Sequence, residues 1–322
     1  MIGFNSEFKN LKDYILKITY RIWEERGVES IRDFYGENVI VKTPTSVTDN
    51  LEEVIISTYK TLEMFPDRQL FGEDVIGSEK EKGTFYSSHR ILSTATHLGK
   101  GFYGPPTQSK LTYRVFADCI CKENRIIDEW MVRDQSAIVK QIGLNPRQFG
   151  QQLALNQKNI IGKVPNSEEY IERWKGLDYS VPPSGIVKIL SETYKNVWEK
   201  SEFDSLKQSH NRACQIYVPG GEILYGHNEF TNFLQGYLKS FPKGSFKIHH
   251  WIVNEEEGKN TRIAFRWSYY ANHSGAGFFE DPKGEPVIIM AITHAELQEN
   301  LVVREYLAID EISIWMQIFN QN

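Results

Sequence analysis

A chain that matches itself at a fixed offset is built from copies of one folding unit, and this sequence does so across most of its length. A shift of 176 positions places Phe65-Pro66 on Phe241-Pro242, Arg90 on Arg266, His97 on His273, Gly101-Phe102 on Gly277-Phe278 and Pro106 on Pro282. Continuing without a gap, the same shift sets Glu123-Asn124 on Glu299-Asn300, Glu129 on Glu305 and Asp134 on Asp310, with Trp130 facing Tyr306. Residues 84–140 hold 12 identities in 57 positions, where ordinary residue usage would give about three or four. Near each start, Thr19-Tyr20 and Trp23 answer Thr193-Tyr194 and Trp198.

The 322 residues are ample for two domains, each able to bury its own core. The expected division is a first domain over 1–142, a linker over 143–182 and a second domain over 183–322. The linker is marked by Asn145-Pro146, Pro165-Asn166-Ser167 and Pro182-Pro183, with a short helix expected from Ser167 to Trp174. A balance of 37 basic against 42 acidic residues, with no dense basic run, argues against a nucleic-acid partner. No apolar run approaches the roughly 20 residues needed to cross a bilayer, and the start lacks a signal-peptide pattern. A cytoplasmic protein without membrane contact is expected. Three cysteines do not describe a disulfide framework. Cys119 and Cys121 share one face of a predicted strand without a second ligand pair, so core packing is expected there and no metal site.

In the first copy, Phe8, Leu11, Ile15, Ile18 and Ile22 recur at helical spacing, and Leu51, Val54, Ile55, Thr58 and Leu62 mark a second helix stopped by Pro66. A short strand, Val39-Ile40-Val41, lies between them. Strands are then predicted near 69–76, 84–98, 111–122 and 125–134, rich in β-branched and aromatic residues. The second copy repeats the order, with helices near 185–200 and 227–241 and strands near 246–254, 261–272, 286–298 and 301–310. Helices followed by antiparallel strands give an α+β packing, with a curved antiparallel sheet wrapped around helices and a cavity at its open end.

Within this pattern, Ser87-Ser88-His89-Arg90, Thr96-His97-Leu98-Gly99, Tyr103-Gly104-Pro105-Pro106-Thr107 and the run from Ile126 to Gln135 resemble the SnoaL-like polyketide cyclase branch of the nuclear transport factor 2-like superfamily. The resemblance spans both copies. It implies two tandem cone-shaped α+β barrels, each with a deep apolar cavity, working without metal or organic cofactor. It also implies that the Asp ending the last-strand motif, Asp134 and Asp310 here, is a general acid/base for an intramolecular aldol closure. Glu129 and Glu305 stand where cyclases of this branch often carry His.

Other motifs bear on the site. Gly99-Lys100-Gly101-Phe102-Tyr103-Gly104 matches G-x-G-x-x-G, but Pro105-Pro106 follow where a helix should open, so a hairpin loop is expected and not a dinucleotide site. No G-x-S-x-G elbow supports Ser87 or Ser88 as nucleophile. Adjacent His249 and His250 point to opposite faces of a strand and cannot share a metal ion. His97 and His273 are pocket-mouth residues or turn braces. Arg90 and Arg266 stabilise a substrate oxyanion or pair with a nearby carboxylate. Asp134 and Asp310 are acid/base groups or caps of the following helix. Tyr86, Phe102, Trp130, Trp267, Phe278 and Tyr306, with Glu129 and Glu305, are expected to line the pockets. The expected function is cofactor-free acid/base cyclase or isomerase chemistry on a small apolar carbonyl compound, with a non-catalytic ligand-binding protein as the alternative. The copies are expected to pack as a pseudo-symmetric pair, with a further homodimer left open.

Overall fold

The computed structural model describes residues 1–157 and 185–320. Each copy opens with a helix, α1 (Leu11–Trp23) and its counterpart after the linker (Gly185–Lys200), whose apolar stripe is buried on the sheet. Asn10 caps α1 by accepting the Asp13 N–H at 2.9 Å. A short turn of helix, α2 (Ile31–Phe34), leads into β1 (Tyr35–Lys42) and the two-residue β2 (Val47–Thr48). Next comes α3 (Leu51–Met64), capped by Asn50, which accepts the Glu52 N–H at 2.8 Å. The chain then runs a meander of β3 (Gln69–Glu81), β4 (Thr84–Thr96), β5 (Lys110–Lys122) and β6 (Arg125–Arg133).

The helix α4 (Gln135–Gln141) follows β6, and α5 (Pro146–Leu155) follows α4. The second copy then supplies α6 (Gly185–Lys200), α7 (Leu206–Ser209), β7 (His210–Val218), β8 (Glu222–Tyr225) and α8 (Gly226–Ser240). Its meander is β9 (Ser245–Asn254), β10 (Thr261–Asn272), β11 (Pro286–Gln298) and β12 (Leu301–Ile309), closed by α9 (Glu311–Phe319).

Both sheets have six strands, in the orders β2-β1-β6-β5-β4-β3 and β8-β7-β12-β11-β10-β9. The sheets are mixed, which corrects the purely antiparallel expectation. β1 lies parallel to β6, and β7 parallel to β12, because the first strand and the last strand of each copy meet across the sheet with the same heading. The polar start of β1, Tyr35-Gly36-Glu37-Asn38, is why the apolar pattern showed only the Val39-Ile40-Val41 part of that strand.

Several repeated residues have backbone reasons. The β5–β6 and β11–β12 hairpins turn on Glu123-Asn124 and Glu299-Asn300, all four with φ between 50° and 64°, the left-handed geometry that a tight hairpin needs. Gly99 and Gly275 sit where a Cβ would meet the Glu63 and Lys239 carbonyls at 1.9 Å, so the following loop can dock on a helix end. That loop is a hairpin connection, as expected, and no helix opens after Gly104.

Residues 146–155, placed in the linker by their polar text, form α5, which lays Gly150 against Trp315 and Ile312 of α9. The helix expected at Ser167–Trp174 lies outside the described residues. No helix among the described residues is long and apolar enough to cross a membrane.

Candidate functional site

Period-two alternation along β4, β5 and β6 divides the first sheet into two chemically different faces. His89 and Ile91, then Val115, Ala117 and Cys119, then Glu129, Met131 and Arg133 turn into the cone. With α1, α3 and β1 they enclose a cavity of about 670 Å³. Ser88, Arg90, Phe116, Asp118, Asp128, Trp130 and Val132 occupy the other face and meet the second copy.

The cavity walls combine apolar side chains such as Ile15, Ile18, Ile22, Val41 and Val54 with hydroxyls such as Thr43, Thr48, Ser57 and Thr61. Several titratable groups are set among them. Glu129 is buried, and its Oε2 accepts the Tyr35 hydroxyl at 3.1 Å. Burial pushes the Glu129 carboxyl up to about 7, against the opposing pull of the Tyr35 hydrogen bond and with help from the neighbouring Asp128 charge. Burial, reinforced by the Arg90 charge, pushes His89 down to about 3, so its imidazole is neutral, and Nε2 has no hydrogen-bond partner. Arg68 is 3% exposed, donates Nε to Ser93 Oγ at 3.0 Å and stacks on Trp23 with its guanidinium carbon 4.5 Å from the ring centre. At the far end of β6, Gln135 accepts the Tyr103 hydroxyl at 3.2 Å and donates Nε2 to Asp310 Oδ2 at 2.6 Å. Asp310 belongs to the second copy yet borders the first copy's cavity, and burial pushes it up to about 7.

The corresponding interior of the second copy is packed with rings. Positions 89, 91 and 93 carry His, Ile and Ser, whereas their counterparts 265, 267 and 269 carry Phe, Trp and Tyr. Trp198 and Trp267 lie 4.8 Å apart, Tyr194 and Phe265 4.8 Å, and Trp198 and Tyr269 5.0 Å, centre to centre. Arg68 answers to Gly244, where the Tyr269 hydroxyl fills the space and accepts the Gly244 N–H at 2.9 Å. Glu305 is fully engaged, accepting the Tyr194 hydroxyl at 2.5 Å and lying 2.9 Å from His210 Nε2.

Of the residues singled out in the sequence, Glu129, Phe102 and Asp310 line the first cavity. Arg90 and Arg266 face the neighbouring copy instead. Arg266 donates Nη1 to Asp118 Oδ2 at 2.8 Å and stacks 4.2 Å from the Trp130 ring centre. Arg90 donates Nε to Glu73 at 3.0 Å and stacks 3.6 Å from the Tyr306 ring centre. The two arginines thus exchange equivalent aromatic partners across a pseudo-twofold axis, which places Trp130 and Tyr306 in the contact between copies and not in the pockets. Ser88 Oγ to His294 Nε2 at 2.8 Å belongs to the same contact. Tyr86 lies there too, its ring 5.0 Å from His250.

Asp134 caps α4 by accepting the Ala137 N–H at 3.0 Å, and it accepts the Gly220 N–H at 2.9 Å and the Gly221 N–H at 3.1 Å across the contact. Asp310 caps α9 through Ile312 N–H at 3.0 Å. Asp134, Asp128 and Trp130 do share a face, as the alternation predicts, but that face is the one turned to the other copy. His97 and His273 are fully buried beneath their loops, His97 Nδ1 lying 3.1 Å from Thr107 Oγ1 and His273 Nε2 bonding the Phe279 carbonyl. Burial lowers both imidazoles. Trp267 is part of the second copy's filled interior, and Phe278 is half exposed beside Phe233 and Tyr237. Sequence reasoning missed Tyr35, Arg68 and Arg133. Their signal was the contrast with His210, Gly244 and Ile309 at the matching positions.

Residues 188–318 match the family model described as SnoaL-like polyketide cyclase. Among solved structures, a SnoaL-like protein from Jannaschia sp. CCS1 is 13% identical with a TM-score of 0.36, covering 44% of this chain and 100% of that one. TsrD from Streptomyces laurentii is 11% identical with a TM-score of 0.37 over the same shares, 44% and 100%. A SnoaL-like protein from Shewanella putrefaciens CN-32 is 17% identical with a TM-score of 0.35, again over 44% and 100%. No curated protein matches. The second copy, over residues 188–318, is thus similar to the SnoaL-like polyketide cyclases, and the same order of elements recurs in the first copy.

Proposed function

We propose that the chain is a cofactor-free cyclase or isomerase whose working site is the first copy's cavity, with Glu129 as general acid/base. The single observation that carries this reading is a cavity-lining carboxyl pushed by burial to about 7. Such a group holds both protonation states in quantity at neutral pH, so it can take a proton from a carbon beside a carbonyl and return one elsewhere. Tyr35 donates to Glu129 Oε2 and steadies the ionised form. Neutral His89 borders the same cavity and adds no charge that would compete with this carboxyl for the proton. Apolar walls select ring or chain carbonyl compounds and exclude bulk water.

The test is proton exchange at C1 of 2-tetralone in D2O, followed by NMR. The wild-type chain should accelerate exchange over buffer, and Glu129→Gln should abolish the acceleration while the protein stays folded. An unaltered rate in Glu129→Gln would place the base on another residue, whereas no acceleration by the wild type together with tight binding of the ketone would leave a ligand-binding protein instead.

A further inference from the structure

We infer that the first-copy cavity takes a ligand bearing a carboxylate, clamped by Arg68 and by Arg133, which ends β6 four residues beyond Glu129. The inference deepens the proposed acid/base reading by naming the substrate class, and it rests on the cavity being the working site. Both guanidiniums line the cavity, and neither forms an ion pair with a described residue. Arg68 is 3% exposed and its Nη1 has no hydrogen-bond partner; Arg133 Nε is likewise buried without one. A buried cation without a counter-ion is costly, and each also repels the other. Burial accordingly lowers Arg68, with the Arg133 charge adding to the effect.

Against its burial, Tyr103, Tyr113 and the Asp310 charge hold Arg133 above its ordinary value, yet Asp310 gives Oδ1 to the α9 N-terminus and Oδ2 to Gln135 and forms no ion pair with either guanidinium. Glu129 lies four residues from Arg133 along β6, about 13 Å of extended strand. Lys60 and Lys100, both exposed, border the same cavity against a single further carboxylate, Glu63, so the field at its edge does not oppose an incoming anion. A planar carboxylate fits the fork of a guanidinium through two parallel hydrogen bonds.

The second copy provides the internal control, since its matching positions are Gly244 and Ile309 and its interior is filled with rings. The pair of arginines goes with the open cavity. The separation between arginine pair and base defines the ligand further: an apolar frame of two or three fused rings, with the acid group at one end and the acidified C–H at the other.

The experiment uses the full chain and 9-fluorenone-2-carboxylate against its methyl ester, compared by isothermal titration calorimetry at pH 7 and low salt. These probes have no exchangeable α-proton, so binding is read apart from chemistry. The acid should bind at least about tenfold tighter than the ester. Arg68→Gln and Arg133→Gln should each erase most of that preference while leaving ester affinity within about threefold. Should either variant fold poorly, Arg133→Lys and the wild-type acid-to-ester ratio decide. Equal or weaker binding of the acid by the wild type overturns the inference, as does a preference that survives both substitutions. Glu129→Gln should keep the preference, so loss of tetralone exchange with acid binding intact sinks only the acid/base reading. Exchange with no acid preference sinks only this one.

Discussion

Replacing Glu129 by Gln should make the protein more stable at alkaline pH than the wild type, and this follows from the carboxyl's burial alone. A carboxyl raised from an ordinary 4.5 to about 7 in the folded state binds its proton more tightly folded than unfolded. Its contribution is fully present below the unfolded value and is lost as pH rises through about 7. At about 1.4 kcal/mol for each pH unit between those values, the ionised side chain costs the fold about 3 kcal/mol by pH 9. Gln keeps the shape and can still accept from Tyr35, but it never ionises.

The assay is urea unfolding of both proteins from pH 5 to pH 9. The difference in unfolding free energy should be small at pH 5, should grow in favour of the variant through pH 7, and should level off above pH 8. Contributions from Asp310, also raised to about 7, cancel in the difference. A difference that stayed flat with pH would mean that Glu129 titrates as an ordinary surface carboxyl, and the acid/base proposal would lose its basis.

The same structure fixes other outcomes. Asp134→Ala should lower stability by about 1–2 kcal/mol through the lost α4 cap, and by more if the Gly220 and Gly221 contacts go with it, while Asp134→Asn should retain most of the cap and normal tetralone exchange; a folded Asp134→Asn without exchange would return the acid/base role to Asp134. Arg266→Met removes the guanidinium from buried Asp118 and leaves it on His250, and calorimetry or urea unfolding should show a loss of about 3 kcal/mol, the low end for a broken buried pair. Ile91→Trp copies the second copy's Trp267 into the first, so it should narrow the cavity and weaken ligand binding with a folded circular-dichroism spectrum; binding unchanged from the wild type would locate the site elsewhere.

The helices and meander strands were legible because each buries one face, and burial on one face is what periodicity records. Strand ends fell within a few residues of expectation in both copies, as for β10 (Thr261–Asn272) and β11 (Pro286–Gln298). What stayed hidden was which face of β6 looked inward. Asp128, Trp130 and Val132, all buried, and Glu129, Met131 and Arg133, buried or half-buried, are two rows that both face protein, the first covered by the second copy and the other by α1 and α3. Alternation gives the two sets but cannot name them. The contact between copies also explains why charged Arg90 and Arg266 lie mid-strand.

Identity between the copies marks what both must do in the same way. Arg90 and Arg266, Trp130 and Tyr306, and Asp134 and Asp310 close the contact or cap a helix, while Glu123-Asn124 and Glu299-Asn300 turn a hairpin. A pseudo-symmetric contact needs each such group twice, so retention follows from geometry without any demand from catalysis. The first copy's open cavity leaves the opposite trace: Tyr35, Arg68, His89 and Arg133 differ from His210, Gly244, Phe265 and Ile309. Glu129 is the instructive exception. Its counterpart Glu305 has the same identity but two partners, Tyr194 and His210, where Glu129 has Tyr35. The residue type was shared, and what separates a carboxylate braced by two partners from one that lines a cavity lies in its neighbours.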